Sequence, residues 1–307
     1  MPSNLDLSIV VIPLVGNSAL ANCLDRLPLV AVECIVVLRE TMGEPRYWQQ
    51  RYPSVIFLHS PEEPVPLRRQ RGTAAAANDV VGILEDTSWP DPGWCVAVRS
   101  TFIDMQIAAA GGPVQIAATL PSRCQALGWS EYGRFAPRHD LRAHSRAGPI
   151  PDKPIVASQV PGNNMAFRRT NLIDSLRGEV NGLFEDSVCA KMLAAGHQVV
   201  FQPRMLVTYS ACDRHNIALS TRLNHGRIYA GMQYQKQTPL KRTIRVAKAA
   251  LLPIVLSVRT MVEMIGFDRV INRLPVLFWV ILMHSAWAMG EAIGAIAGLG
   301  KSLNEWR

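Results

Sequence analysis

Gly162-Asn163-Asn164-Met165-Ala166-Phe167-Arg168-Arg169 opens a stretch that continues through Gly182-Leu183-Phe184-Glu185-Asp186-Ser187 and Gly196 to Gln198-Val199-Val200-Phe201-Gln202-Pro203. The Glu185-Asp186 pair stands where a helix should begin. Val188, Met192 and Leu193 follow at helical spacing, Gly196 is placed to stop the helix, and a short β-branched strand comes next. A carboxylate at a helix start is favoured by the helix dipole and accepts from the free backbone N–H groups there, so Asp186 reads as a cap. It also reads as a general base, taking the proton of an attacking hydroxyl. The stretch alone leaves both readings open.

Upstream, strands and helices alternate. Ser8-Ile9-Val10-Val11-Ile12 is a continuous apolar run of the kind buried on both faces of a sheet, and Pro13 to Asn17 turns the chain into a helix carrying Leu20, Leu24 and Leu27. Residues 33–38, 55–58 and 80–84 give three more strands, with a helix expected over 67–78 and another opened by Asp91-Pro92. This alternation predicts a mostly parallel sheet covered on both faces, which binds ligands outside the carboxyl ends of its strands. Glu85-Asp86 falls at such an end. Two adjacent acids there suit a hard divalent cation holding phosphates, or else a solvated turn leading into Ser88-Trp89-Pro90-Asp91. Residues 138–154, rich in Arg, His and Pro, read as a loop over the site or a surface insertion, and His139 and His144 lack a partner at metal-ligand spacing.

The chain has 307 residues, 49% hydrophobic and 18% charged, enough for one large domain or two smaller ones. Its six cysteines (Cys23, Cys34, Cys95, Cys124, Cys189, Cys212) show no paired spacing. They are expected to be small core residues in a reducing compartment rather than a disulfide framework or a metal knuckle. No basic region followed by a long apolar run opens the chain, so the N-terminal part is expected in the cytosol. Residues 214–273 hold eleven basic residues against Glu263 and Asp268, an excess that accounts for the whole +8 net charge. Such a block faces nucleic acid or an anionic membrane. The aliphatic runs beside it, and the lack of any zinc-finger, RRM-like or basic-zipper pattern, favour the membrane over nucleic acid.

Two apolar segments close the chain. Residues 244–262 carry Arg245, Lys248 and Arg259 and are broken by Pro253; residues 274–299 are interrupted only by His284 and Glu291. The second is long enough to span a bilayer, and Gly290, Gly294 and Gly298 recur at the spacing of close helix contacts. A membrane hairpin, an interfacial pair and a soluble helical appendage all fit. Arg259, Arg269 and Arg273 in the far loop argue for the interfacial form.

Taken in order, Ser8–Pro13, Glu33–Val37, Arg69-Gln70-Arg71-Gly72, Glu85-Asp86, Pro92-Gly93-Trp94, Gly162–Arg169 and Glu185-Asp186 resemble a family 2 glycosyltransferase of GT-A fold, of the membrane-associated bacterial type, over roughly residues 7–230. The resemblance implies an α/β, Rossmann-like mixed sheet with helices on both faces as domain 1–235, followed by membrane-associated helices over 236–307. It implies an inverting transfer of sugar from a nucleotide-diphosphate donor to a lipid-linked or polysaccharide-precursor acceptor, at the cytosolic face of the inner membrane, with no nucleic-acid partner. Carried onto this chain, Glu85 and Asp86 become ligands of Mg2+ or Mn2+ and of the diphosphate, and Pro13, Arg69 and Arg71 line the donor side. Asp186 becomes the base, Glu185 its neighbour, and Gly162, Asn163 and Asn164 the acceptor side. The chain departs from the pattern at Leu38-Arg39, where acids usually stand, at Leu14-Val15-Gly16, at Gln70, at Thr87 in the third acidic position, and at Tyr209-Ser210, where a His often stands. These departures keep a second expectation in play, a catalytically degenerate nucleotide-sugar-binding or partner-binding membrane protein. A related nucleotidyltransferase is disfavoured because Leu14–Asn17 lacks a basic residue.

Overall fold

The β-branched runs of the N-terminal half become strands, Leu7–Ile12 and Val80–Glu85 buried along their whole length and Val55–His59 partly exposed at the sheet edge. In a computed structural model describing residues 6–60, 63–137, 153–212, 218–234, 237–265 and 274–306, the chain begins β1 (Leu7–Ile12), α1 (Asn17–Leu24), β2 (Glu33–Leu38), α2 (Pro45–Arg51), β3 (Val55–His59), α3 (Val65–Ala75), β4 (Val80–Glu85), β5 (Ser88–Pro90) and α4 (Trp94–Thr101). It goes on through β6 (Ile107–Gly111), β7 (Val114–Ile116), α5 (Ser122–Tyr132), β8 (Ile155–Val156), β9 (Asn164–Arg168), α6 (Arg169–Leu176), α7 (Glu185–Ala194), β10 (Gln198–Phe201) and β11 (Val207–Tyr209). Four helices end it: α8 (Ala218–Tyr234), α9 (Pro239–Ala249), α10 (Leu252–Ile265) and α11 (Leu274–Ala297). Most of the expected loop over 138–154, with His139 and His144, lies outside the described residues.

The elements form two compact units, Met1–Gln115 with Pro137–Ala211, and Ile116–Ala136 with Cys212–Arg307. The first holds an eight-stranded mixed sheet in the order β3-β2-β1-β4-β9-β6-β10-β8. Strands β3, β2, β1 and β4 run parallel, and β9 lies antiparallel between β4 and β6. The chain leaves β1 toward β2 and β3, then returns to place β4 on the other side of β1. That reversal makes β1/β4 the switch point of the sheet, where a crevice opens at the carboxyl ends. Ile12 and Glu85 are register partners at this edge. On one face α3 packs so closely that a Cβ on Gly72 would lie 2.3 Å from Val10 Cγ1. On β4, a Cβ on Gly82 would meet the buried Trp94 ring at 2.6 Å, so adding one methyl there costs about 1–3 kcal/mol in overpacking. The turn after Glu85, at Asp86-Thr87, is buried rather than solvated, and the Ser88-Trp89-Pro90 it leads into is a strand that pairs antiparallel with β11, Trp89 opposite Thr208.

The second unit is helical, and its boundary differs from a division at residue 235: residues 116–136, carrying α5, and α8 belong with the C-terminal helices. The reason is the buried face of α11. A Cβ on Gly290 would lie 2.0 Å from Leu223 O, and one on Gly294 2.3 Å from Arg227 O, so the glycine repeat lets α8 and α11 touch backbone to backbone. Glu131 of α5 accepts from Arg222 (3.2 Å) and pairs with His225 (3.1 Å), tying α5 to α8. Glu291 of α11 pairs with Arg245 of α9, and His284 meets the Thr260 hydroxyl of α10 at 3.1 Å. α11 has the length and apolarity to cross a membrane, with mean hydropathy 1.5 over its most apolar 18 residues, yet 44% of that stretch is buried inside the protein.

One cysteine expectation is overturned here. Cys124 and Cys212 form a disulfide across 88 residues of sequence, while Cys23, Cys34, Cys95 and Cys189 are buried thiols as expected. The pairing is set by tertiary approach, with the two Cα atoms 5.7 Å apart, and leaves no mark in sequence spacing.

Candidate active site

The acidic candidates of the first unit stand at the ends of elements, and Arg69 reaches them from the interior of α3. β4 ends on Glu85, and Asp86 follows it, fully buried. The Asp86 carboxylate turns back toward β1 and accepts from the backbone N–H groups of Leu14 (2.8 Å), Val15 (3.1 Å) and Gly16 (3.3 Å). Gly16, at φ 151°, precedes α1. Burial pushes the Asp86 carboxyl up to about 6, against the pull of those N–H donors.

Glu85 goes the other way. Its Oε1 accepts from Arg69 Nη2 at 2.8 Å, and the same guanidinium donates through Nη1 to Glu185 Oε2 at 3.0 Å and through Nη2 to Gly162 O at 2.9 Å. Arg69 is 1% exposed, Glu85 4% and Glu185 24%. One guanidinium therefore joins α3, the end of β4, the start of β9 and the start of α7. Gly162 leaves room for this junction: a Cβ there would lie 2.7 Å from Glu185 Oε1 and 3.0 Å from Arg69 Nη2, so the ion pair would have to shift. Glu185 and Asp186 occupy the first turn of α7 and Phe184 is its N-cap, so Asp186 is not the capping residue. Its side chain is half-buried. At β11, Ser210 N–H donates to Thr87 O (2.9 Å), bringing Tyr209-Ser210 beside the acidic edge.

Arg68, next to Arg69 on α3, is fully buried and donates through Nη1 to Pro13 O at 2.8 Å; its Nε and Nη2 have no acceptor among the described residues. Burial first, then the like charge of Arg39, pull it down to about 10, while Asp86 and Glu85 oppose that shift.

No family model matches the chain, and no curated protein matches its sequence. Among solved structures, PcManGT, a mannosyltransferase from Pyrobaculum calidifontis in complex with GDP-Man and Mn2+, superposes with a TM-score of 0.56 at 13% identity, over 94% of this chain and 87% of that one. GalNAc-T7 with UDP, GalNAc and Mn2+ superposes with a TM-score of 0.52 at 15% identity, over 77% of this chain and 52% of that one. The fold is GT-A-like.

Within this GT-A-like unit the expected residues separate into two groups. Pro13, Arg69, Glu85, Asp86, Gly162 and Glu185 gather at the switch-point edge, with Asp186 in the turn beside Glu185. Three others are placed elsewhere. Arg71 is half exposed and faces Glu63 at 3.6 Å, because a two-residue step from Arg69 turns it to the opposite side of α3. Asn163 and Asn164 are fully buried. Asn163 donates to Ser88 Oγ (2.8 Å); Asn164 accepts from Trp94 Nε1 (2.8 Å) and donates to Met205 O (2.6 Å). Their amide groups hold β9 to its neighbours, while Asn163 Oδ1 is buried with no hydrogen-bond partner among the described residues.

Glu85 and Asp86 also do not fit a divalent cation as they stand. Both Asp86 oxygens face backbone amides, Glu85 is paired to a guanidinium, and a dication beside that guanidinium would set like charges together. Among the described residues no group of three His, Cys, Asp or Glu could hold a metal. Arg68 is the residue that sequence reasoning missed. Its signal was the helical period of α3: Val65, Arg68, Arg69, Gly72 and Thr73 mark the buried face, a pattern normally filled by apolar side chains.

Proposed function

We propose that the chain is an inverting glycosyltransferase. One observation carries the reading: Arg69 draws the two separate acidic pairs, Glu85 from β4 and Glu185 from α7, onto one guanidinium at the switch point of a GT-A-like sheet. The donor is a nucleotide-diphosphate sugar, a reading supported by the GDP-Man held by the mannosyltransferase neighbour and by the UDP and GalNAc held by GalNAc-T7. The Asp186 carboxylate accepts the proton of the acceptor hydroxyl as its oxygen bonds to the anomeric carbon. The bond from that carbon to the diphosphate oxygen breaks on the opposite face, and the nucleoside diphosphate leaves with the electron pair. Negative charge grows on the leaving diphosphate. Arg68, whose Nε and Nη2 have no acceptor among the described residues, supplies buried positive charge at the carboxyl end of β1. Glu85, through Arg69, holds Glu185 and with it the turn bearing Asp186. No step is routed through a metal.

The reading places the chain at a membrane, on the cytosolic face of the inner membrane, with a lipid-linked or polysaccharide-precursor acceptor; the apolar surface of the C-terminal helices supports the membrane contact alone. A second reading, a degenerate nucleotide-sugar-binding protein, is favoured by Thr87 in the third acidic position and by the commitment of both Asp86 oxygens to backbone.

The test is a panel of nucleotide sugars, read by thermal stabilisation and by hydrolysis, with EDTA and with Mn2+, on the wild type and on Asp186→Asn. Transfer predicts that one donor stabilises both proteins and that Asp186→Asn turns over roughly a hundredfold to ten-thousandfold more slowly. Stabilisation without turnover in the wild type selects the degenerate reading. Near-normal turnover by Asp186→Asn removes Asp186 as the base.

A further inference from the structure

The helical unit presents an apolar surface that the proposed transfer chemistry does not use. On α9, Leu240 and Ile244, with Leu251 just beyond, are between 45% and 70% exposed and fall on one stripe of the helix. On α10, Ile254, Val258, Val262 and Ile265 are between 51% and 66% exposed at the same helical spacing, while Thr260 and Met264 face inward. A helix face meeting water is ordinarily polar; this one is aliphatic across two successive helices. Its border is cationic. Lys241 and Lys248 are exposed and Arg242 is partly so, whereas Glu263, the acid of this described segment, is already paired with Arg259.

Length and packing decide how such a surface meets a membrane. α10 has 14 residues, about 21 Å of helix, short of the roughly 30 Å hydrocarbon core. α9 carries Lys241, Arg242, Arg245 and Lys248 within 11 residues. α11 is long enough, but Gly290 and Gly294 lock it against α8, so insertion of α11 would draw Arg222, Asn224, His225 and Arg227 toward hydrocarbon.

We infer that the outer face of α9 and α10 docks on the surface of a bilayer containing anionic phospholipid, aliphatic stripe in the headgroup–acyl boundary and basic border on the phosphates, without crossing it. This refines the membrane placement proposed above and does not depend on the sugar chemistry.

The experiment is co-flotation of the full chain with vesicles of phosphatidylcholine alone or mixed with phosphatidylglycerol. The wild type is expected to float with the anionic vesicles, to lose binding as salt rises, and to leave native membranes in alkaline carbonate. Lys241→Gln with Lys248→Gln should weaken binding to anionic vesicles by about 25-fold, near fivefold per charge. Ile254→Asp with Val258→Asp should abolish binding while circular dichroism and nucleotide-sugar stabilisation stay those of the wild type. Equal flotation with neutral vesicles, resistance to carbonate, or wild-type flotation of the Asp variant would overturn the inference, as would a wild type that floats with neither vesicle. Loss of sugar-nucleotide binding with flotation intact would count against the transferase reading alone.

Discussion

Removing the Arg69 guanidinium should be among the most damaging single changes in the first unit. Arg69→Met keeps a long, flexible side chain in a buried slot but leaves Glu85, 4% exposed, and Glu185, 24% exposed, without the cation that joins them. Deleting one partner of a buried ion pair costs about 3–5 kcal/mol, because the remaining charge stays desolvated. The half of the loss that falls on Glu185 is smaller, since solvent screens a partly exposed carboxylate. Glu85 therefore dominates, and about 4 kcal/mol is expected for the whole substitution. Urea unfolding followed by tryptophan fluorescence reads it, because Trp48 and Trp94 are buried in this unit. Adding Glu85→Gln to Arg69→Met takes away the stranded charge and should recover about 2 kcal/mol, the desolvation share of the loss. Arg69→Met also frees the start of α7 from β4, so turnover should fall further than donor binding. A loss below about 1 kcal/mol, the scale of an exposed pair, or no recovery in the double variant, would refute the view that one guanidinium joins Glu85 to Glu185.

Two further predictions concern the helical unit. Unfolded without reductant, the chain should expose the four thiols of Cys23, Cys34, Cys95 and Cys189, and two more only after reduction; finding six at once would remove the Cys124–Cys212 bond. Reduction should lower stability by about 4.6 kcal/mol, the loop-closure contribution at a separation of 88 residues. Glu131 sets a pH dependence. Burial by itself would raise its carboxyl, but the hydrogen bond and charge of His225 and then Arg222 reverse this and hold it below the ordinary 4.5. A depressed native pKa contributes stability above the unfolded value, and that contribution disappears as pH falls through the native one. The stability difference between wild type and Glu131→Gln should accordingly shrink as pH drops below 4.5, measured by urea unfolding at a series of pH values. A difference that stays constant would contradict the pairing.

How much of the candidate site was legible varies residue by residue. The two acidic pairs were readable because each ends a local pattern: an apolar run stops at Glu85, and an apolar period starts after Asp186. What each carboxylate does was not readable. Asp86 is bound by amides some seventy residues away in sequence, and Glu85 and Glu185 meet through a residue on a third element. Arg71 was grouped with Arg69 because the two share a four-residue run, yet α3 turns one inward and the other out. The asparagine pair looked ligand-facing on account of its polarity, but Trp94 and Met205 engage Asn164 and Ser88 engages the Asn163 amide nitrogen, leaving Asn163 Oδ1 alone without a partner among the described residues.

The sequence by itself determined the parallel strands β1 to β4, the alternating architecture and the tight helix contact at Gly290 and Gly294, because β-branching, helical period and the lack of a side chain act within a few residues of where they are written. Only the tertiary structure decided where α11 finds its partner, that residues 116–136 join the C-terminal helices, that Cys124 meets Cys212, and that the acidic edge is neutralised by arginine. Each of these depends on which distant groups arrive beside one another. Burial makes the outcome binding: a carboxylate or guanidinium taken out of water must be matched by whatever the fold places next to it.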